Sequence, residues 1–349
     1  MTSQSHMPMP VNRQHARQIP DVLREHLDES WEAYELAARE AQLTVPRDPD
    51  FSTSLRRVWA GSEFVTQTCI SEPAVLHELL AGGDLLADYA AGEYRRKLVS
   101  LLRAVQDEAE LARVLRLFRR REMLRIAWRD LAGWAPLNEV LHDLSALADA
   151  SIGSALDCLG GWAVKQLGKS ASKLSPSLVV LGMGKLGARE LNFSSDIDLI
   201  FAYPDDETGW KRQRQSPDEF YLQLGQQLIR ALDSQTEHGF VFRVDMRLRP
   251  YGDSGPLAAN FDAMADYYQL QGREWERYAM IKARPVAGPE QAAAQLMQLL
   301  QPFVYRRYLD FGAFDSLRSL KEQIVREVER KGMQDNVKLG PGGIREIEF

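Results

Sequence analysis

Three aspartates and a glycine turn carry the chemistry that can be read from this chain. Asp196 and Asp198 alternate with apolar residues in Ser194-Ser195-Asp196-Ile197-Asp198-Leu199-Ile200-Phe201. On a strand, both carboxylates would project to one side, with Cα atoms about 6.5–7 Å apart. Ile197, Leu199 and Phe201 would then point the other way, into a core. A third acid, Asp245, stands in the run Phe240–Arg249, where alternation puts Arg243, Asp245, Arg247 and Arg249 on one face and Phe242, Val244, Met246 and Leu248 on the other. If the two strands are neighbours, three carboxylates and several guanidinium groups converge. Crowded carboxylates repel, and a hard cation such as Mg²⁺ removes that repulsion by taking oxygen ligands. Metal-neutralised phosphate oxygens held by arginine forks are the equipment of phosphoryl or nucleotidyl transfer. A lone strand-end Asp-x-Asp is ordinarily a solvated face. Here a glycine turn precedes it, its strand is otherwise apolar, and the third acid is flanked by arginines.

The glycine turn, Gly182-Met183-Gly184-Lys185-Leu186-Gly187, has the G-x-G-x-x-G form after a predicted strand. A dinucleotide-binding unit would need a full helix next, then a second strand with an acid about 20 positions on. Only Ala188–Ser195 separates the last glycine from the next strand, which leaves room for about two helical turns at most. Nor does Gly-Lys-Ser/Thr close the motif, so it is not a P-loop.

The elements that position these residues follow from periodicity. From Ile19 to about Leu167 the apolar spacing mixes threes and fours, as helices require. Long helical readings cover Glu93–Trp134 and Leu137–Leu167, with Gly82-Gly83, Gly133–Pro136 and Gly160-Gly161 as breaks or close-packing points. After a Ser/Lys-rich linker at Lys169–Pro176, strands are expected at Leu178–Leu181, Ile197–Tyr203 and Phe240–Leu248, with an amphipathic helix from Asp218 to about Leu232. Beyond Pro256 the chain reads as helical again, through Phe261–Ala283, Glu290–Tyr308 and Phe314–Lys331. The expected organisation is a flexible stretch at 1–20, a helical region at 21–168, a catalytic core at 177–256 and a second helical region at 257–349. Ile344–Phe349 alternates like a starting strand and stops without a turn, which reads as a fragment's end.

Composition narrows the classes. Among 349 residues, 43 Lys and Arg against 49 Asp and Glu give a formal charge of −6, which argues against binding nucleic acid over the whole surface. Two cysteines, Cys69 and Cys158, are too few for a disulfide framework or a Cys-rich zinc site. No apolar run reaches the roughly 20 residues of a membrane helix, and Met1–Pro20 lacks the apolar core of a secretory signal. A cytoplasmic setting is the expectation. Arg113, Arg116, Arg119, Arg120, Arg121, Arg125 and Arg129 form a basic stretch, expected to be a solvated face balanced by acids. The alternative is a docking surface for an acidic partner.

The run Gly182–Tyr203 resembles the signature of polymerase-β-type nucleotidyltransferases. More narrowly, the chain resembles the glutamine synthetase adenylyltransferase/adenylyl-removing family. The resemblance rests on Gly182–Phe201, Arg243–Pro256, Gly272–Arg284, Phe303–Asp310 and Lys338–Phe349. It implies an α+β fold, with a polymerase-β-like core of small mixed sheet and helices flanked by helical regions on both sides. It implies Asp196, Asp198 and Asp245 as catalytic residues and Mg²⁺ ligands. Gly182, Gly184, Lys185, Ser195, Arg247 and Arg249 would bind nucleotide or phosphate. Lys185 stands where many superfamily members have Ser. The family carries two such domains in tandem, one attaching AMP to a tyrosine of glutamine synthetase and one removing it by phosphorolysis to ADP. The wording Asn192-Phe193-Ser194-Ser195-Asp196-Ile197-Asp198 and its place after a helical region resemble the removing domain. Adenylyl addition from ATP, using the same carboxylates, and a non-catalytic regulatory fragment are the alternatives. Glutamine synthetase is the implied protein substrate and a PII-type signal protein an implied regulator.

Overall fold

The computed structural model describes residues 19–46, 49–168, 176–205, 215–305, 311–338, 340–344 and 347. Residues 1–18 of the expected flexible N-terminus and 169–175 of the linker lie outside the described residues.

The first half is helical as its periodicity requires: α1 (Arg24–Glu40), α2 (Pro49–Gly61), α3 (Glu63–Ser71), α4 (Pro73–Ala81), α5 (Glu93–Leu102), α6 (Glu108–Ala132) and α7 (Leu137–Gln166). The single helix expected over Glu93–Trp134 is two helices. Asp107 caps the second by accepting the Glu110 N–H at 2.8 Å, and Gly133 ends it in a left-handed conformation. Gly160-Gly161 does not break α7. A Cβ at Gly160 would meet Pro176 at 3.2 Å, so the missing side chain admits the incoming chain. Leu27, Tyr34, Trp59, Leu76 and Trp128 build one core among α1–α4 and α6.

The sheet begins with β1 (Val179–Gly182), continues through a single helical turn, α8 (Gly184–Gly187), into β2 (Ile197–Tyr203), and then reaches α9 (Pro217–Asp233). A Ser216/Glu219 capping box and Pro217 start α9. Next come β3 (Val244–Asp245), β4 (Ala258–Asn260), α10 (Phe261–Leu270), α11 (Glu274–Met280), β5 (Arg284–Ala287), α12 (Glu290–Val304) and α13 (Phe311–Arg330). β1 lies between β2 and β5, antiparallel to both, while β3 and β4 each pair with β2 in parallel. The fold is α+β, a small mixed sheet among helices.

Alternation divides the sheet between two cores. Val180, Ile197, Leu199 and Phe201 pack with Leu144, Ile152, Leu224 and Leu228, on the side of α7 and α9. Val179, Leu181, Ile200 and Ala202 pack with Met264, Tyr268 and Leu296, on the side of α10 and α12. The pleat therefore sends Asp198 toward the second side, at the end of the strand where that core gives out.

Three expectations are corrected. The strand expected over Phe240–Leu248 shrinks to Val244–Asp245, because the Leu232 carbonyl takes both the Val241 and Phe242 N–H groups (2.8 and 3.1 Å) and folds the chain onto the end of α9. Past Asp245 the chain turns, with Arg249 N–H on the Met246 carbonyl at 3.2 Å. The region after Pro256, expected as a helical region with helices at Phe261–Ala283, Glu290–Tyr308 and Phe314–Lys331, holds β4 and β5 before and between those helices, so the sheet crosses the boundary expected at residue 256. Both strands are too short to show a period. Finally, Ile344 and Ile347 are helical rather than extended, with Ile347 N–H on the Gly343 carbonyl at 3.2 Å.

Candidate active site

β2 and β3 bring two of the three aspartates together. Asp198 and Asp245 are register partners, and Ile197 N–H donates to the Arg243 carbonyl at 2.9 Å on the same ladder. On the other side, Met183 N–H donates to the Asp198 carbonyl at 2.9 Å, which ties the glycine turn to the same residue. Asp196 lies one position before β2, with its side chain 50% exposed.

The electrostatics of the pair are unequal. Burial raises the pKa of Asp198 to about 6, and the charges of Asp245 and Asp196 add to the rise, against the pull of Arg247 and Lys338. Asp245 is held below the usual carboxylate range by hydrogen bonds from Arg247, whose Nε lies 2.9 Å from Oδ2 and whose backbone N–H lies 2.9 Å from Oδ1. The Asp196 carboxylate is engaged by Arg243, which also donates to the Ser194 carbonyl at 2.7 Å.

The residues expected to bind nucleotide separate into two groups. Gly184 stands at the carboxylates: its φ is +51°, and a Cβ there would meet Asp198 Oδ2 at 3.2 Å. Lys185 is in the same turn, partly buried. Arg247 is 74% exposed beside Asp245. By contrast, Gly182 is buried at the end of β1, where a Cβ would meet Val286 at 2.7 Å, so its bareness serves packing. Ser195 shapes the turn before Asp196, its hydroxyl accepting the Asn192 N–H at 3.3 Å. Arg249 folds back on the Met246 carbonyl at 2.8 Å and is 12% exposed, and it reaches Asp245 as a nearby charge rather than as an open fork.

Among the described residues, no three His, Cys, Asp or Glu side chains are gathered as a ready metal-binding group. Arg243 and Arg247 hold two of the three carboxylates. The residues nonetheless suit a hard divalent cation. The donors are carboxylate oxygens, the negative charges of Asp196 and Asp245 bear on Asp198, and the absent Gly184 side chain leaves room against Asp198 Oδ2.

Residues 52–299 match the family model described as glutamate-ammonia ligase adenylyltransferase. The chain belongs to that family. A second model, GlnD PII-uridylyltransferase, matches residues 318–349. Curated relatives named bifunctional glutamine synthetase adenylyltransferase/adenylyl-removing enzyme include one from Nitrosococcus oceani, 52% identical over 95% of this chain and 35% of its own length. Another, from Pseudomonas aeruginosa, is 55% identical over 84% of this chain and 30% of its own. One from Thioalkalivibrio sulfidiphilus is 50% identical over 95% and 34%. The chain thus spans about a third of the length of these relatives.

In this family member, several residues that build the site were not singled out for it by sequence. Arg284, on β5, donates to the Leu186 carbonyl at 3.0 Å and the Gly187 carbonyl at 3.2 Å, and pairs with Asp149 of α7 at 2.8 Å. It thereby pins the glycine turn to the helical spine. Ser145 of α7 accepts the Leu191 N–H at 3.2 Å and holds the loop that leads to Asp196. Lys338 brings positive charge to bear on Asp198 from far along the chain. Their partners lie 46 to 140 residues away, a separation no local pattern reveals.

The basic stretch is also corrected. Arg116, Arg125 and Arg129 are buried, at 1%, 0% and 4% exposure, and are not a solvated face. Arg125 pairs with Asp143 at 2.8 Å and donates to the Asp84 carbonyl at 2.9 Å, while Arg129 donates to Glu139 and the Leu86 carbonyl. These side chains satisfy backbone carbonyls that a helix-rich interior would otherwise strand. Among the described residues no helix is long and apolar enough to cross a membrane.

Proposed function

We propose that this chain carries the site that removes AMP from adenylylated glutamine synthetase by phosphorolysis, with Mg²⁺ as cofactor and the cytoplasm as its setting. The observation that carries the reading is the register pairing of Asp198 with Asp245, with Asp196 two residues from the first. Family membership supports the chemistry, and the relatives' printed name includes both adenylyl addition and removal.

In this reading Asp196, Asp198 and Asp245 hold the metal. Bound there, Mg²⁺ would neutralise phosphate oxygens as charge develops on them. Arg247, the exposed fork beside Asp245, binds the incoming phosphate, with Arg249 adding charge. Gly184 and Lys185 take the adenylyl phosphate, where bare backbone permits close approach. A phosphate oxygen attacks the adenylyl phosphorus, the P–O bond to tyrosine breaks, and the tyrosine oxygen leaves with the electron pair and takes up a proton. ADP and unmodified tyrosine result. Asp245 aligns the attacking oxygen. Positioning and charge neutralisation supply most of the acceleration. A PII-type protein is the proposed regulatory partner.

The test is incubation of the chain with adenylylated glutamine synthetase, Mg²⁺ and phosphate. Release of ADP supports removal. Incorporation of AMP from ATP into unmodified glutamine synthetase would instead assign addition. Binding without either turnover would assign a regulatory fragment.

A further inference from the structure

We infer that Arg116, on α6 in the helical half of the chain, is a positioning residue for the carboxylate site, setting the segment that carries Arg243 and Asp245. The inference rests on the proposed function for its consequence, and on the geometry of residues 231–245 for its substance.

The Arg116 guanidinium is buried, and it donates to four carbonyls: Ala112 of its own helix at 2.8 Å, Ala231 at 3.0 Å, Ser234, and Gly239 at 2.8 Å. Ala231 and Ser234 lie at the C-terminal end of α9, where exposed carbonyls and the helix dipole favour a cation. Gly239 closes the turn that follows, exchanging hydrogen bonds with Thr236 at 2.9 and 3.0 Å. Two neighbours act on the same turn. Arg120 donates to the His238 carbonyl at 3.0 Å, and the Arg119 guanidinium sits over the rings of Phe240 and Phe242, at 5.1 and 5.9 Å from their centres. The segment from Ala231 to Phe242 is thus hung on one face of α6.

Arg243 follows at once, bound to Asp196 and the Ser194 carbonyl, and two residues later comes Asp245. Strand β3 is two residues long. So short a strand makes too few ladder bonds to define its own position, and its flanks must do so. On the N-terminal side the flank is the turn that Arg116 holds. Arginine is also the side chain suited to this work: a rigid planar fork with five donors spans four separate carbonyls, one more than the three donors lysine carries on a single nitrogen. A buried cation whose acceptors here are carbonyls is a costly way to fill space, since apolar side chains of similar volume pack as well.

The experiment uses the whole chain and Mn²⁺ as the probe, titrated by paramagnetic resonance, with hydrogen exchange followed at Val241, Phe242 and Asp245, whose N–H groups bond the Leu232 carbonyl and the β2 ladder. Arg116→Met is expected to weaken Mn²⁺ binding about tenfold or more, the range seen when support for metal ligands is lost, and to speed exchange at those amides. Arg116→Lys, which keeps charge but not the fork, should recover part of both, and it serves if the methionine variant does not fold. Arg129→Met is the control: equally buried on the same helix, its partners Glu139 and the Leu86 carbonyl lie outside residues 231–245. It should lower the melting temperature while leaving Mn²⁺ affinity within about twofold. Unchanged affinity and exchange in the Arg116 variants would overturn the inference, as would an equal loss in Arg129→Met. If Asp198→Asn binds Mn²⁺ as well as the parent chain, the proposed function fails, and the exchange rates alone still decide the role of Arg116.

Discussion

Asp198 and Asp245 face each other across the parallel pairing of β2 with β3, and their carboxyls are pushed in opposite directions. Burial and two neighbouring negative charges drive Asp198 up to about 6. Arg247 holds Asp245 down. One register pair therefore offers a fixed negative charge beside a carboxyl that ionises against resistance, and a divalent cation would favour the ionised form of both.

Replacing Asp198 tests that resistance. A carboxyl whose pKa is raised in the fold costs stability once the unfolded carboxyl can ionise, so its burden is absent below the ordinary carboxylate range, grows as pH rises toward about 6 and is full above it. Asp198→Asn is expected to melt higher than the parent at pH 8 and equally at pH 4, while losing about a hundredfold or more of turnover. Thermal melts across pH check the first point, and ADP release checks the second. An asparagine variant no more stable at pH 8 would remove the electrostatic argument.

Metal binding should carry the same pH signature. Mg²⁺ must displace the proton on Asp198, so the rise in melting temperature on adding Mg²⁺ is expected to be larger at pH 8 than at pH 5. The comparison needs only the chain, two buffers and a titration. An equal rise at both pH values would place the bound metal elsewhere.

Gly184 is bare for two reasons, a left-handed backbone and the carboxylate oxygen 3.2 Å from where a Cβ would sit. Gly184→Ala is expected to lose roughly 1–2 kcal/mol of stability from the backbone strain and to weaken Mg²⁺ binding as the new methyl crowds Asp198. Denaturant melts and metal titration read the two effects separately.

Arg284 should matter more to the turn's position than to binding. Arg284→Met leaves Asp149 without its bidentate partner in a largely buried place, where burial already raises its pKa. The expected loss is about 2–3 kcal/mol, just under the roughly 3–5 kcal/mol of a fully buried pair because both side chains keep some exposure. Arg284→Met, Asp149→Leu, which removes both charges, should recover much of it.

Arg247 is the exposed fork of the site. Arg247→Gln is expected to raise the KM for phosphate about tenfold or more with little change in melting temperature. A fall in kcat at unchanged KM would instead make Arg247 a group felt only at the transition state.

Sequence and structure divide these assignments along a physical line. Helices declared themselves through apolar spacing over ten residues or more, and β2 through seven residues of continuous apolar pattern around Asp198. Residues within a few positions of each other were legible for the same reason: Asp196 with Asp198, Gly184 with Lys185. Strands β3, β4 and β5 span two to four residues and owe their existence to the neighbours that pair with them.

What the chain's order of residues determined by itself was the chemistry on offer: paired carboxylates on an apolar strand, a tight glycine turn before it, and a third acid among arginines. The tertiary structure decided which of these meet. It set Asp245 opposite Asp198, committed Arg243 to Asp196 and Arg249 to backbone carbonyls, and turned the arginines at 116, 125 and 129 inward. The reason is range. Side-chain periodicity is a local property of helix and strand geometry, whereas an arginine's choice among acids, carbonyls and water depends on which groups the fold brings within its reach, as Gly239 is brought to Arg116 across 123 residues of chain.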